Sequence, residues 1–496
     1  MKVLFVVPRA QFNYKAPWTP LGTISIATFI KQHGHTVRLT DQSFDKKSVK
    51  EHLDDFAPDA VCVSVISVRV AKDAHRLSLL CKERGIPVIW GGFFSADYYK
   101  ELLLAGMTDY ITMGEGEFNT LHLLEALENG TPVRDVRGIA YLENGEPMLT
   151  EAQPLADLRD LPVLDFSLCD TENYIHPYLF CKRMMYVYAS KGCPGNCAFC
   201  SNPTYHCHKY RVRPIDYVIR EIKYLYTQYH IDGVYFSDEC WYVRREMMQE
   251  FCRRLREEKI DIYWGCELRF GICSEEDYRM LYDSGCRWIM FGTESGDPEM
   301  LKTIRKHITV DQIRREVNIC HDTGIVSILS FIIGYPDERP EQLQNTIDLI
   351  NGIPSGVNVC NIFTPVPNSE MYDALVRSKQ YAPKFDLMHN KLVLIGEHSG
   401  YRCNTIPLRD LRVIRSCFMW KGFTKKSVNR ESKKFEIAAN AIKETFASLT
   451  RHGIKGFFRG VWIAAKEFVP IFWYSHFYPA IRKKYRMNRT DQKEYL

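Results

Sequence analysis

The sequence predicts an α/β protein with three parts: a doubly wound, Rossmann-like N-terminal domain, a partial (β/α)6 barrel of the TIM type, and a mainly helical C-terminal region. Three observations lead to this prediction. Short β-branched runs alternate with helical patterns over the first 150 residues, a second alternation starts near residue 185, and it stops near residue 375. The 496 residues suffice for about three domains. The expected boundaries are 1–150, a linker at 151–184, 185–375 and 376–496.

The first domain is expected to be a parallel sheet covered by helices. The expected strands are 2–7, 36–40, 60–66, 87–90 and 110–113, and the expected helices include 21–33 and 71–84. Glycines follow the last two strands, as Gly91-Gly92 and Gly114-Glu115-Gly116. Ligands of such sheets bind beyond the carboxyl ends of the strands, where glycine lets the backbone approach a cofactor. Ordinary strand-to-helix turns would give the same pattern. No GxGxxG follows the first strand, so a nicotinamide site is not expected.

The second series begins after a proline-containing, acidic stretch that is typical of an extended linker. Its expected strands are 185–189, 233–237, 262–266, 288–291, 328–333 and 357–363. Its expected helices are 216–229, 244–259, 274–284, 311–323 and 339–350. Six strands alternating with five helices predict an open barrel whose functional residues lie at the carboxyl ends of the strands.

Composition and charge narrow the class of protein. Hydrophobic residues make up 46% and charged residues 25%, which is typical of folded, water-soluble domains. The 17 cysteines are an odd number, and no secretory signal precedes the first strand, so we expect a cytoplasmic protein with free or metal-bound thiols. From residue 401 onward, 21 Lys and Arg face only 7 Asp and Glu. The basic character therefore belongs to the C-terminal region.

Three cysteines follow the first strand of the barrel on a loop rich in glycine and proline. Cys193, Cys197 and Cys200 are separated by three and two residues, so their thiols can converge on one soft-metal centre. A structural zinc site would need a fourth ligand, and although His206, Cys207 and His208 lie nearby, the spacing is not that of a zinc ribbon. Three thiolates on a [4Fe–4S] cluster leave one iron open to a small chelating molecule. The triad therefore predicts an iron–sulfur cluster with an open iron.

The triad, with Phe199 before the third cysteine and six following β/α units, resembles the radical S-adenosylmethionine (radical SAM) enzymes. The resemblance implies that the open iron chelates the amino and carboxylate groups of S-adenosylmethionine. It also implies that the reduced cluster cleaves this molecule to methionine and a 5′-deoxyadenosyl radical. The expected metal ligands are Cys193, Cys197 and Cys200.

Other strand ends resemble further motifs of that family. Ser237, Asp238 and Glu239 occupy the place of the motif that contacts the methionyl amino group, where a carboxylate can pair with an ammonium. The fourth strand ends in Glu294 and Ser295, the expected ribose contacts, and the fifth continues into Gly334, where backbone commonly holds adenine. The alternative for each carboxylate is an ion pair or a loop cap.

The N-terminal domain resembles the cobalamin-binding domain that is fused to many radical SAM enzymes, so the resemblance covers roughly residues 1–370. The expected cofactor contacts are Ser64, Ser67, Gly91, Gly92, Gly114, Glu115 and Gly116. Corrinoid domains that ligate cobalt from below use Asp-x-His-x-x-Gly, whereas the sequence from Asp41 to Asp45 holds no histidine. Fused radical members often lack that histidine, so bound cobalamin would lack this lower ligand.

The C-terminal region departs from the family pattern. Residues 453–496 combine large apolar and aromatic side chains with a basic cluster at 482–486, but Lys466, Glu467 and Pro470 interrupt them, so no spanning helix is expected. Aromatic and basic residues together favour an interfacial membrane segment that would reach a lipid-like substrate. The alternative is a helical cap on the barrel. The scattered cysteines of the barrel are interpreted as buried apolar side chains.

The resemblance implies an anaerobic, cobalamin-dependent radical SAM enzyme, with C-methylation of an unactivated carbon as the first hypothesis. In that mechanism the adenosyl radical removes hydrogen from the substrate, which then takes a methyl group from methylcobalamin. Ring formation or rearrangement with the same cofactors is the alternative, and a non-catalytic corrinoid or iron–sulfur sensor is the hypothesis from another class. Expected partners are a small-molecule or lipid-like substrate and an electron donor such as flavodoxin or ferredoxin. Nucleic acid is not expected, and the protein is placed in the cytoplasm or at the inner membrane face.

Overall fold

The structure is a computed structural model that describes residues 1–9, 18–382 and 401–424. The chain forms two compact units. Of the described residues, the first unit contains 1–9, 18–175 and 216–221, and the second contains 176–215, 222–382 and 401–424.

A seven-stranded sheet organises the first unit, in the order β2-β1-β3-β4-β5-β6-β7. Its strands are Lys2–Val7 (β1), Thr36–Asp41 (β2), Ala60–Ser64 (β3), Val88–Gly91 (β4), Tyr110–Thr112 (β5), Ile139–Glu143 (β6) and Glu146–Leu149 (β7). The first five strands are parallel and the last two add an antiparallel hairpin. The chain order reverses beside β1, which is the position where ligands of doubly wound sheets bind.

Six helices accompany this sheet. They are Leu21–Gln32 (α1), Val49–Phe56 (α2), Val68–Lys82 (α3), Phe93–Asp97 (α4), Tyr99–Leu104 (α5) and Gly116–Asn129 (α6). Short 3-10 turns span Val133–Asp135, Phe166–Leu168 and Thr171–Tyr174. The capping box of Ser48 and Glu51 fixes the start of α2 because each side chain bonds the other residue's backbone N–H.

The second unit is built on another seven-stranded sheet, in the order β16-β15-β14-β13-β12-β9-β8. Its strands are His176–Tyr178 (β8), Cys181–Val187 (β9), Gly233–Phe236 (β12), Tyr263–Leu268 (β13), Cys286–Glu294 (β14), Val326–Ile333 (β15) and Val357–Ile362 (β16). Ser190–Lys191 (β10) and Arg211–Val212 (β11) form a separate antiparallel ribbon. Strands β9 and β12 to β16 are parallel, whereas β8 is antiparallel to β9.

Helices follow the strands of this sheet in alternation. They are Asn202–Tyr205 (α7), Ile215–Tyr229 (α8), Arg245–Glu257 (α9), Glu275–Asp283 (α10), Pro298–Thr303 (α11), Val310–Thr323 (α12), Pro340–Gly352 (α13), Glu370–Arg377 (α14) and Leu408–Thr424 (α15). Helix α15 packs on β16, and its Leu411 side chain occupies the space beside Gly334, where a Cβ would lie 2.6 Å from it. The two α/β units confirm the predicted fold class.

An aromatic row fills the interior of the second unit. Tyr186, Tyr235, Gly265 and Trp288 are paired in register across β9, β12, β13 and β14, so they share one face of the sheet. The Trp288 ring takes the space that a side chain at position 265 would need, which explains the glycine there. All three aromatic side chains are buried. They form a floor below the carboxyl ends of the strands and leave that edge to the functional residues.

Several elements differ from the expectation. The hairpin β6–β7 and strand β8 were not predicted, and β9 begins at Cys181, inside the expected linker. No helix among the described residues is long and apolar enough to cross a bilayer. The predicted interfacial segment, residues 453–496, lies outside the described residues.

Candidate functional site

The three cysteines lie on the loop between β10 and α7. Cys197 is buried, and Cys193 and Cys200 are half-buried. Gly192 precedes them at φ +86°, and any side chain there would collide with the carbonyl of Lys209. Glycine is therefore required where the loop leaves the ribbon.

Hydrogen-bond donors and cations around the Cys193 thiol favour its thiolate form. The pKa of Cys193 is lowered to about 6, chiefly by a hydrogen bond with the Cys240 thiol, and burial opposes this shift. The Gly195 N–H, 3.4 Å from the Cys193 sulfur, also lowers it. Burial raises the pKa of Cys200 to about 11. Iron binds the thiolate form, so the groups around Cys193 favour its role as a metal ligand.

The donor set fits an iron–sulfur cluster. Three soft thiol ligands lie on one loop, and the guanidinium of Arg269 donates to the Cys197 sulfur at 3.5 Å. In the part of the chain that the structure describes, no three His, Cys, Asp or Glu side chains are grouped closely enough for a single metal ion. A [4Fe–4S] cluster is larger and binds each thiolate at a different iron. The residues present thus suit a cluster.

Asp238 ties the end of β9 to the cysteine loop. This buried carboxylate accepts hydrogen bonds from the Ala189 N–H at 3.1 Å and the Ser190 hydroxyl at 2.5 Å. Burial raises its pKa to about 7 despite these bonds. Ser237, at the end of β12, donates its N–H to the Val187 carbonyl at 2.9 Å. Ser237 and Asp238 thus hydrogen-bond to the last residue of β9 and to the residues that follow it.

Glu239 reaches the cysteine loop. Its carboxylate accepts from the Gly192 N–H at 3.1 Å and lies 3.2 Å from Nε2 of His206. Burial alone would raise its pKa, but the hydrogen bond with His206 and the charge interaction with it lower the pKa overall. Glu239 is only half-buried, so its ionised carboxylate, bonded next to Cys193 through Gly192, remains partly accessible. A cationic group is the ligand that this arrangement favours.

Glu294, the last residue of β14, forms a buried ion pair with Lys306 at 2.8 Å. Both charged groups lie over Gly292, where a Cβ would be 2.5 Å from the carboxylate and 2.6 Å from the ammonium. The neighbouring Ser295 hydroxyl lies 3.2 Å from that of Thr346 and accepts the Asp297 N–H. Both expected ribose contacts thus already have partners in the protein.

Breaking the ion pair on one side is expected to destabilise the fold. Lys306→Met leaves the Glu294 carboxylate buried without its partner, at a cost on the order of 3 kcal/mol. Adding Glu294→Gln should recover most of this loss. Thermal unfolding of the wild type, both single variants and the double variant measures the coupling, and additive losses would contradict it.

Gly334 follows β15 at φ +79°, and its N–H donates to the carboxylate of Glu338 at 2.5 Å. Glu338 is fully buried, and this burial raises its pKa to about 8. The Thr405 hydroxyl donates to the Glu338 carbonyl. The turn after β15 is therefore held from inside by a carboxyl group and from outside by the segment before α15.

This raised pKa makes stability depend on pH. Glu338 binds a proton more tightly in the folded chain than in the unfolded chain, so stability falls as pH rises from 4.5 toward 8. Glu338→Gln keeps an acceptor for Gly334 and removes the titration. The stability of this variant relative to wild type should therefore rise between about pH 5 and about pH 9, by on the order of 5 kcal/mol. Glu341→Gln, on the exposed face of α13, should show no such trend.

In the first unit, the expected cofactor contacts follow three neighbouring strands. Ser64 ends β3 and Ser67 precedes α3, while the glycines follow β4 and β5. Gly92 has φ +113°, and a Cβ there would lie 2.9 Å from the Val65 carbonyl. A Cβ at Gly91 would lie 2.8 Å from the Thr112 hydroxyl, and one at Gly116 would collide with Ile26. The Val65 backbone thus requires glycine at position 92, while the side-chain ends of Thr112 and Ile26 fill the space beside Gly91 and Gly116. Gly114 has φ +77° with open space around it, and Glu115 precedes α6.

Exposed apolar side chains accompany these turns. Trp18, Ile66 and Phe93 are 59%, 62% and 49% exposed, and they precede α1, follow β3 and follow β4 respectively. A large ring-shaped cofactor would cover such a surface. Asp41 accepts from the Tyr174 hydroxyl at 2.9 Å and the Ser43 N–H at 2.8 Å. Asp41 is thus bonded within the first unit, and the exposed apolar side chains at this edge would suit a corrinoid ring.

Sequence reasoning missed three residues that meet the cysteine loop: Arg269, Lys306 and Cys240. Arg269 directly follows β13, so its place at a strand end was the available signal. His206 was left ambiguous, and the structure places it against Glu239.

Comparisons with known proteins match a family to each of the two α/β parts of the chain. Residues 187–350 match the radical SAM superfamily and residues 12–123 match the B12 binding domain. The chain is 26% identical to an uncharacterized methyltransferase of Pyrococcus horikoshii, over 75% of this chain and 83% of the relative. It is 28% identical to the anaerobic magnesium-protoporphyrin IX monomethyl ester cyclase of Rubrivivax gelatinosus, over 76% and 70%. Its fold is similar to that of the cobalamin-dependent S-adenosylmethionine radical enzyme OxsB, solved with aqua-cobalamin bound, with TM-score 0.71, 14% identity, and 98% and 80% of the two chains covered.

Proposed function

The chain belongs to the radical SAM enzymes that carry a B12 binding domain, and we propose that it transfers a methyl group to an unactivated carbon of a small molecule. The observation that carries the proposal is the presence, in one chain, of two candidate cofactor sites at the carboxyl ends of strands. The cysteine loop follows β9 of the second unit, and the glycine turns with their apolar surface follow β3 to β5 of the first. Methylation of an inert carbon needs both a hydrogen-abstracting cofactor and a methyl carrier.

When bound, the cluster supplies an electron for reductive cleavage of S-adenosylmethionine, and cobalamin supplies a transferable methyl group. Cys193, Cys197 and Cys200 would hold the cluster as thiolates. The Glu239 carboxylate would pair with the methionyl ammonium, and its bonds to Gly192 and His206 orient it for this role.

The other residues that the sequence predicts as cofactor contacts would position Glu239 or meet the cofactors. Asp238 and Ser237 hold the strand end that carries Glu239, so their role is positioning. Glu294 and Ser295 would meet the ribose only beside Lys306 and Thr346, and the turn at Gly334 would meet adenine. Ser64, Ser67 and the first unit's glycine turns would meet the corrinoid, whose ring Ile66 and Phe93 would cover.

The enzyme class implies a small-molecule substrate and a reductant. We place a low-potential flavodoxin or ferredoxin in the second role, because cleavage of S-adenosylmethionine consumes an electron. Membrane contact through residues 453–496, which would bring a lipid-like substrate within reach at the inner face of a membrane, rests on their aromatic and basic composition. Liposome sedimentation of the full chain and of a chain ending at residue 452 tests it, and equal sedimentation would contradict it.

The test of methyl transfer begins with an anaerobic absorbance titration of the reconstituted protein with hydroxocobalamin. Stoichiometric binding with a spectrum that lacks lower nitrogen ligation is expected. The loaded protein is then incubated with S-adenosylmethionine and titanium(III) citrate, and its products are separated by chromatography. Methyl transfer predicts S-adenosylhomocysteine beside 5′-deoxyadenosine, and only when cobalamin is present.

The cyclase relative supports ring formation or rearrangement as the second candidate. That function predicts 5′-deoxyadenosine and methionine without S-adenosylhomocysteine. A sensor would form neither product. The products therefore separate the three hypotheses before any substrate is known.

A further inference from the structure

Arg269 is a cation that lies against the cysteine loop. It directly follows β13, and its Nη1 donates to the Cys197 sulfur at 3.5 Å. Its Nη2 donates to the Lys306 carbonyl at 2.6 Å. The two bonds fix the planar guanidinium between the loop and the chain that follows α11.

Gly195 lets the guanidinium approach this closely. A Cβ at position 195 would collide with Nη1 of Arg269, so the group packs directly on the loop backbone between Cys193 and Cys197. The loop is thereby shaped to receive a flat cation. Arg269 is half-buried in this position.

The charge of Arg269 faces thiols rather than a carboxylate in the described part of the chain. Among the residues that the structure describes, no Asp or Glu lies within ion-pairing distance of its guanidinium, and the groups that interact with its charge are the thiols of Cys193, Cys197 and Cys240. Lys306, the other nearby cation, is already neutralised by Glu294 at 2.8 Å. A partly buried cation without a counter-charge is costly, unless an anion occupies the adjacent site.

We propose that Arg269 is the counter-charge of the thiolate-bound cluster and sets its reduction potential as well as the position of Cys197. One electron from an external low-potential donor makes the cluster one unit more negative, so a fixed adjacent cation stabilises the reduced form. Removing this cation shifts the midpoint potential to a more negative value. The inference rests on the proposed function only in requiring that a [4Fe–4S] cluster binds here.

The test compares the full-length wild type with Arg269→Gln, Arg269→Lys and the control Arg279→Gln, whose residue is exposed and pairs with Glu275. Each protein is reconstituted anaerobically, its iron and sulfide are measured, and its midpoint potential is determined by a redox titration followed by electron paramagnetic resonance. We expect a more negative potential for Arg269→Gln, a potential closer to wild type for Arg269→Lys, and no change for the control.

A fully loaded Arg269→Gln protein with the wild-type potential would overturn the proposal. If Arg269→Gln cannot retain the cluster, retention by Arg269→Lys supports the role of the charge, and loss from both variants overturns it. A wild type that binds no cluster would instead contradict the proposed function, so the two failures are distinguishable.

Discussion

Replacing Cys193, Cys197 or Cys200 with alanine is expected to reduce the release of 5′-deoxyadenosine from S-adenosylmethionine to background. Each cysteine would supply one of the three thiolate ligands of the cluster, so its loss leaves one more iron without its thiolate. Iron and sulfide content after anaerobic reconstitution, together with chromatography of the nucleoside product, measures the effect.

Cys207 provides the matched control. It is exposed and lies only seven positions after Cys200 on the same segment, so Cys207→Ala tests general sensitivity of this region to loss of a thiol. Wild-type iron content and product release are expected. A triad variant that keeps a full cluster and cleaves S-adenosylmethionine would remove the basis for the proposed function.

Glu239→Gln is expected to weaken the binding of S-adenosylmethionine by about tenfold to a hundredfold, because a charged hydrogen bond to the ammonium becomes a neutral one. The amide keeps the size of the side chain and one acceptor for Gly192 or His206. Isothermal titration calorimetry on cluster-loaded protein under anaerobic conditions gives the dissociation constant.

Two controls accompany this measurement. Glu258→Gln removes a carboxylate that pairs with Lys223 on the surface of the same unit, and unchanged affinity is expected. Iron content of the Glu239 variant must equal that of wild type, which separates ligand binding from damage to the loop. Equal affinity of the variant and the wild type would show that the carboxylate does not meet the ammonium.

The main strands could be predicted because buried parallel strands appear as continuous β-branched and aromatic runs, such as residues 2–7 and 328–333. The hairpin β6–β7 carries an equally clear local signal in its turn. Asn144 and Gly145, both with positive φ, form its two-residue turn. Strand β8 has only three residues, and Pro177 is the middle one, so periodicity could not reveal it.

For the site, the local sequence predicted the cysteines and carboxylates but not the side chains that contact them. The spacing of the cysteines and the positions of Glu239 and Glu294 at strand ends are local properties. The contact of Arg269 with Cys197 joins residues 72 positions apart, and that of Lys306 with Glu294 depends on how the chain returns after α11. Such approaches follow from packing of the whole barrel and leave no pattern in one sequence.

The aromatic floor of the second unit affects where substrate enters and product leaves. Tyr186, Tyr235 and Trp288 are buried on one face of the sheet, so their rings fill the interior directly below the strand carboxyl ends. Because the functional residues lie above these rings, we expect substrate to enter and product to leave past the strand carboxyl ends. If substrate and product use one entrance, product must leave before the next substrate binds. Accumulated product should therefore compete with substrate and slow successive turnovers.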